Sequence, residues 1–109
     1  MISIEDFDKV DVRAGTIVDV GINKKARKPA YKLTIDFGPE FGRKTSSAQI
    51  TELYQPEDLL GMQVICCVNL SPMHIGSVKS EVRILGTDSE QGVVLLAPTQ
   101  KVRDGDRVF

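Results

Sequence analysis

Tryptophan is absent from this 109-residue sequence, histidine occurs once, cysteine twice, and only 6 % of residues are aromatic. Each scarcity removes a class of function. With no Trp, Phe37 reading as core, Tyr54 beside a helical segment and only Tyr31 at a loop edge, few flat rings are left on which nucleic-acid bases can stack. The single His74 and the adjacent pair Cys66 and Cys67 form no CxxC or HxxxH spacing, so there is no metal-ligand pattern and no cofactor is expected. Neighbours in an extended strand point to opposite faces, so the two thiols are poorly placed to bridge and read as small buried hydrophobes. Apolar runs are short as well. Met62 to Leu70 and Val93 to Ala97 fall far below the ~20 residues of a membrane-spanning helix. Met1 to Lys9 is acidic and mixed, without the basic region and apolar run of a secretory leader, which predicts a cytoplasmic protein with no membrane insertion. No charge of one sign dominates: 14 Lys and Arg stand against 15 Asp and Glu. Any nucleic-acid role must therefore come from local clustering and not from bulk attraction.

Catalytic patterns are equally thin. Ser46 and Ser47 have no GxSxG elbow or base nearby in sequence, and Glu57 with Asp58 reads as the acidic first turn of a helix. No phosphate loop is present. The expectation is a binding protein, not an enzyme.

What the sequence does have is strand-forming character. Val and Ile supply 21 residues and Thr another six, against 16 Leu, Ala and Met together. The length suits one domain over residues 1–109. Val10, Val12, Ala14, Thr16, Val18 and Val20 alternate with polar or small residues, which predicts a long half-buried strand with a bend or bulge at Gly15. Tyr31 to Phe37 alternates again, Lys44 to Ile50 is a weaker polar strand, and Gly38, Pro39 and Gly42 frame a turn between them. Thr51 stands as an N-cap ahead of a short helix or pair of turns over Glu52 to Leu60. Met62 to Leu70, Val78 to Leu85 and Val93 to Ala97 complete the strands. Asp104 and Gly105 signal a turn before a short terminal strand, and Met1 to Asp8 holds one helical turn. The resulting fold class is all-β: a five-stranded OB-fold barrel with a short helix between strands three and four and extra terminal strands.

Two consequences follow from that order. Met62 to Leu70 and Val93 to Ala97 are apolar on both faces, and a small barrel buries only one, so the outer faces predict a homodimer. An OB barrel also meets ligands on strands two and three and in the loops joining strands one to two and four to five, here Gly21 to Ala30 and Ser71 to Ser77. The first loop, continued to the start of strand two, holds the one cation run without an interleaved acid: Lys24, Lys25, Arg27, Lys28 and Lys32. On its own such a run is ordinarily a solvated loop; its place beside the groove gives it a second meaning. The second loop offers Met73, His74 and Ile75, an apolar cluster shaped by Pro72 and Gly76. Cations and unstacked-base contacts suit RNA, whereas Met73 and Ile75 suit an extended polypeptide bound with weak selectivity.

Asp11-Val12-Arg13-Ala14-Gly15-Thr16-Ile17 resembles the opening strand of the tRNA-binding domain shared by bacterial methionyl-tRNA synthetase C-termini, stand-alone tRNA-binding proteins and the endothelial monocyte-activating polypeptide. Lys32 to Gly38, Ser46 to Thr51, Val68-Asn69-Leu70 and Lys79-Ser80-Glu81-Val82 resemble the CsaA branch of that family, over about residues 7 to 98. The resemblance implies a homodimeric OB-fold chaperone that holds unfolded preproteins for Sec-dependent export, with the Sec translocase motor as a further partner. It also implies a tRNA-binding alternative in which Asn69 and Ser80 match family positions that contact nucleotide. Two departures favour polypeptide: the Ser-x-Gly-Met element of the RNA binders reads Ser80-Glu81-Val82 here, and Met73 and His74 stand where cations are usual. Under the first reading Met73, His74 and Ile75 are contacts; under the second Lys24, Lys25, Arg27, Lys28 and Lys32 hold phosphates while Asn69 and Ser80 touch nucleotide groups.

Overall fold

A computed structural model describes residues 1–109. In chain order the elements are α1 (Ile4–Asp8), β1 (Val12–Ile22), β2 (Tyr31–Asp36), α2 (Gly38–Phe41), β3 (Arg43–Ala48), α3 (Pro56–Leu59), β4 (Gln63–Cys67), β5 (Met73–Ile75), β6 (Val78–Ser80), β7 (Arg83–Ile84), β8 (Gly86–Ser89), β9 (Gly92–Leu95) and β10 (Arg107–Val108). The main sheet runs β3-β2-β1-β4-β7, with β10 also on β1, and every pairing is antiparallel. The N–H of Glu81 donates to Thr45 O at 2.8 Å and brings the β6–β7 segment against the free edge of β3. The five strands thus form a nearly closed barrel of the OB type, with α3 between β3 and β4 as the sequence predicts.

β1 makes the barrel possible because it belongs to two halves. Val12 to Thr16 pairs with β4, and Thr16 to Ile22 pairs with β2. The bulge lies between Ile17 and Asp19, not at Gly15. It shifts the inward phase of the strand, so that Gly15 and Ile17 are buried before it while Val20 packs against the core after it. The core itself holds Ile17, Leu33, Ile35, Phe37, Leu59, Val64 and Cys66, the alternating apolar positions of β1, β2 and β4 with one residue of α3. Cys66 and Cys67 are free and buried, as expected, and burial pushes the Cys66 thiol from its ordinary 9.0 up to about 12.

Several local expectations need correcting. Thr51 caps no helix; of the two forms expected for Glu52 to Leu60 the pair of turns is the one found, a turn and then one helical turn at Pro56–Leu59, capped by Gln55 whose N–H meets the Asp58 carboxylate at 2.9 Å. Pro56 at the first helical position explains why the helix starts there. Ser71 to Ser77 is not a loop: Met73–Ile75 pairs with Val78–Ser80 as a hairpin, and the expected strand Val78 to Leu85 breaks into β6 and β7 where Glu81 crosses to β3. Tyr31 is not at a loop edge but in the core, its hydroxyl donating to Tyr54 O at 2.7 Å.

The two stretches expected to be apolar on both faces behave differently from one another. On β4 the outward Cys67 is buried and Ile65 half-buried within the single chain, beside the buried Val12 and Ala14 of β1. On β9 the outward Val94, and Leu96 just beyond, are exposed. More apolar surface lies at the two chain ends: α1 buries no residue, Phe7 is 43 % exposed and Phe109 97 % exposed. No helix is long and apolar enough to cross a membrane.

Candidate functional site

A groove of about 680 Å³ lies between the β5–β6 hairpin and the β8–β9 hairpin, with residues Ser46 to Ile50 contributing to its lining. Half of its twenty lining residues are hydrophobic and none is aromatic. Met73 and Ile75 belong to its lining, and Met73 is 64 % exposed. His74 does not line the groove: side chains alternate along β5, and His74 is paired across the hairpin with Lys79 on the other face. Of the three hairpin residues that the sequence singles out, two therefore reach the groove and the third faces away from it.

The basic loop abuts this groove through one buried residue that sequence reasoning missed. Asn23, 3 % exposed, donates from Nδ2 to Ser47 Oγ at 2.9 Å and to Ile75 O at 2.7 Å. It thereby ties the β1–β2 loop to both β3 and the hairpin. Its Oδ1 has no hydrogen-bond partner, because turning the amide round would set an oxygen against the Ile75 carbonyl. Gly76 completes the contact. Its φ is +59°, and a Cβ there would stand 2.6 Å from the Lys25 carbonyl carbon and 2.8 Å from Asn23 Oδ1. Only glycine lets the hairpin tip and the loop meet this closely. Asn23 was hidden because an Asn before a cation run reads as ordinary turn chemistry, and its side of β1, with Asp19 and Gly21, carries no apolar pattern to mark it.

Lys24, Lys25, Arg27 and Lys28 are exposed on the loop that Asn23 anchors, and Lys32 is exposed on β2, opposite Ser47 of β3. None of the five lines the groove; Lys32 is paired with the lining residue Ser47, and the Lys25 backbone lies against Gly76 at the tip of the hairpin. Inside the groove the charge is mixed, with Arg83 against Glu81 and Asp88. Glu81 accepts from the Thr45 N–H and hydroxyl, both at 3.1 Å, and these bonds, the backbone one first, together with Lys44 and Lys79 hold its carboxyl below the usual carboxylate value. Ser80 lines the groove, where its Oγ accepts from Ser47 N–H at 3.1 Å.

Residues 12–107 match the family model for a tRNA binding domain. The chain belongs to that family. Its solved relatives include the CsaA chaperone protein of Picrophilus torridus, 44 % identical with a TM-score of 0.95 and 100 % of both chains covered. The chaperone CsaA of Bacillus anthracis str. Ames is also 44 % identical, with a TM-score of 0.92, covering 100 % of this chain and 99 % of that one. The methionine–tRNA ligase of Archaeoglobus fulgidus is 40 % identical over 107 residues, which is 98 % of this chain and 16 % of the ligase. The chain thus spans a minor part of the length of the curated relatives it matches. The family is a binding domain and not a catalytic fold.

Asn69, matched to a nucleotide-contacting position, is engaged within the fold here. Its Oδ1 accepts from the Asp11 N–H at 2.9 Å and its Nδ2 donates to Lys9 O at 2.7 Å, clamping the chain between α1 and β1 against the end of β4. Asn69 does not line the groove, whereas Ser80 does. The two residues expected to act together are separated in this way.

Proposed function

We propose that this chain is a single-domain, homodimeric chaperone of the CsaA kind. It binds unfolded preproteins in the cytoplasm for Sec-dependent export, delivers them to the Sec translocase motor, and works by binding alone. The observation that carries this reading is the make-up of the groove. Apolar aliphatic walls with a flexible, exposed Met73 suit polypeptide side chains of many shapes, and the absence of any aromatic residue from the lining removes the usual platform for bases. Met73 and Ile75 are the principal contacts, with Lys24, Lys25, Arg27, Lys28 and Lys32 as a basic border and His74 on the outer face of the hairpin. The likeness to two CsaA chaperones over their whole length supports the same reading.

A second reading has its own support in the family match and in the five exposed cations of the β1–β2 loop and β2. In it the cations hold tRNA phosphates and Ser80 contacts nucleotide groups, while the Asn69 amide stays engaged with Asp11 and Lys9. Salt separates the two. Phosphate binding to a single strand weakens with a log–log slope of about −0.7 per neutralised charge, whereas apolar capture is much less sensitive. Labelled tRNA and a labelled unfolded preprotein are titrated separately at low and high salt. The expected result is preprotein binding that survives high salt and tRNA binding that does not. Tight tRNA binding with no preprotein binding at either salt would overturn the chaperone reading.

A further inference from the structure

Hydrogen-bonding direction alternates along a strand, so residues two apart point their backbone groups the same way. Thr45 of β3 points away from β2, since its N–H donates to Glu81 Oε1 and its carbonyl accepts from Glu81 N–H. Ser47 and Gln49 share that direction. At Ser47 the neighbour is already a side chain, Ser80 Oγ, and no longer backbone, so the two edges have begun to part. At Gln49 neither the N–H nor the carbonyl has a protein partner. Burial continues to alternate there, with Ser46, Ala48 and Ile50 buried and Gln49 exposed, so the chain stays extended beyond its last pair with β2. The result is a wedge that opens into the groove, with an unpaired strand edge on one side and Met73, Ile75, Val93 and Leu95 in the surrounding walls.

We propose that the groove takes a polypeptide segment as an added β-strand, hydrogen-bonded to the open edge of β3 at the Ser47 carbonyl and at the N–H and carbonyl of Gln49. The proposal rests on the polypeptide reading above and says which part of the client is recognised. Main-chain bonds are common to every sequence, and alternate side chains of the added strand fall against the aliphatic walls. Recognition is therefore of extended, unpaired backbone with apolar residues at alternate positions. A folded protein offers few such segments.

An added strand bonds through one of its two edges. The probe is a short fluorescein-labelled peptide of alternating Leu and Ser, with two analogues N-methylated either at the Leu or at the Ser positions. One analogue is expected to lose about tenfold in affinity relative to the other, the worth of one or two backbone bonds. In the complex with the unmethylated peptide, the Gln49 amide is expected to exchange with solvent more slowly, read by NMR on the labelled full chain. Equal affinities of the two analogues, or an unprotected Gln49 amide at saturation, would overturn the strand-addition proposal and leave the chaperone reading standing. If neither the unmethylated peptide nor an unfolded preprotein binds, both fall.

Discussion

A methyl group on Gly15 would stand 2.7 Å from Ile35 Cγ2 and 2.8 Å from the Phe37 ring, inside the best-buried part of the barrel. Gly15→Ala is therefore expected to destabilise the fold by about 1–3 kcal/mol, the usual cost of forcing atoms into a filled core. Gly21→Ala, on the same strand with open space around it, is the control and should leave stability nearly unchanged. Urea unfolding midpoints of the two variants check this, and equal midpoints would refute it. The sequence marks Gly15 as special but for a different reason. A glycine inside an alternating strand suggests a bend, whereas its actual constraint comes from Ile35 and Phe37, residues of a neighbouring strand and its end that no local pattern connects to position 15. Asn23 was illegible in the same sense, since its value lies in Ser47 and Ile75, both distant along the chain.

Elements with a long alternation or a continuous apolar run were readable, and those with neither were not. β1, β2 and β4 carry enough inward apolar residues to announce themselves, and β3 is recognisable beside them. The β5–β6 hairpin has three-residue arms, too short for a period of two to stand out, and Pro72 and Gly76 disguise it as loop. The break between β6 and β7 falls at Glu81, whose backbone and carboxylate both engage Thr45 and so hold β3 to the returning chain. Because the Glu81 carboxyl is held below its ordinary value in the folded protein, its contribution to stability is complete above the ordinary carboxylate range. That contribution disappears as pH falls through the lowered folded value. Glu81→Gln should therefore be less stable than the natural sequence at neutral pH, with the gap narrowing at pH 3. A gap of the same size at both values would show that the carboxylate charge is not what holds this seam.

At the scale of the whole molecule, the sequence predicts a second copy from the outer faces of β4 and β9, and in the structure much of the exposed apolar surface lies elsewhere. β4 is largely covered within one chain, while exposed apolar side chains gather on α1 and at the C-terminus: Ile4, Phe7, Val108 and Phe109. Arg107 and Asp8, 4.0 Å apart, bring those two ends together. A five-residue helix is too short to persist in water by itself, and α1 buries none of its own residues. Capping of Asp6 N–H by Ser3 Oγ at 3.2 Å fixes its start without supplying the missing packing. Sedimentation at micromolar concentration is expected to give a dimer, and the double change Phe7→Asp with Phe109→Asp to give a monomer. A lone protomer for the natural sequence, or a dimer unaffected by the double change, would remove the terminal surface from the assembly.

Asn23 gives the groove a mechanical property as well as a shape. One amide grips the cation-bearing arm and the aliphatic arm together, and Gly76 leaves no slack between them, so neither arm can swing alone. Asn23→Ala is therefore expected to loosen the loop and the hairpin together, not one of them alone.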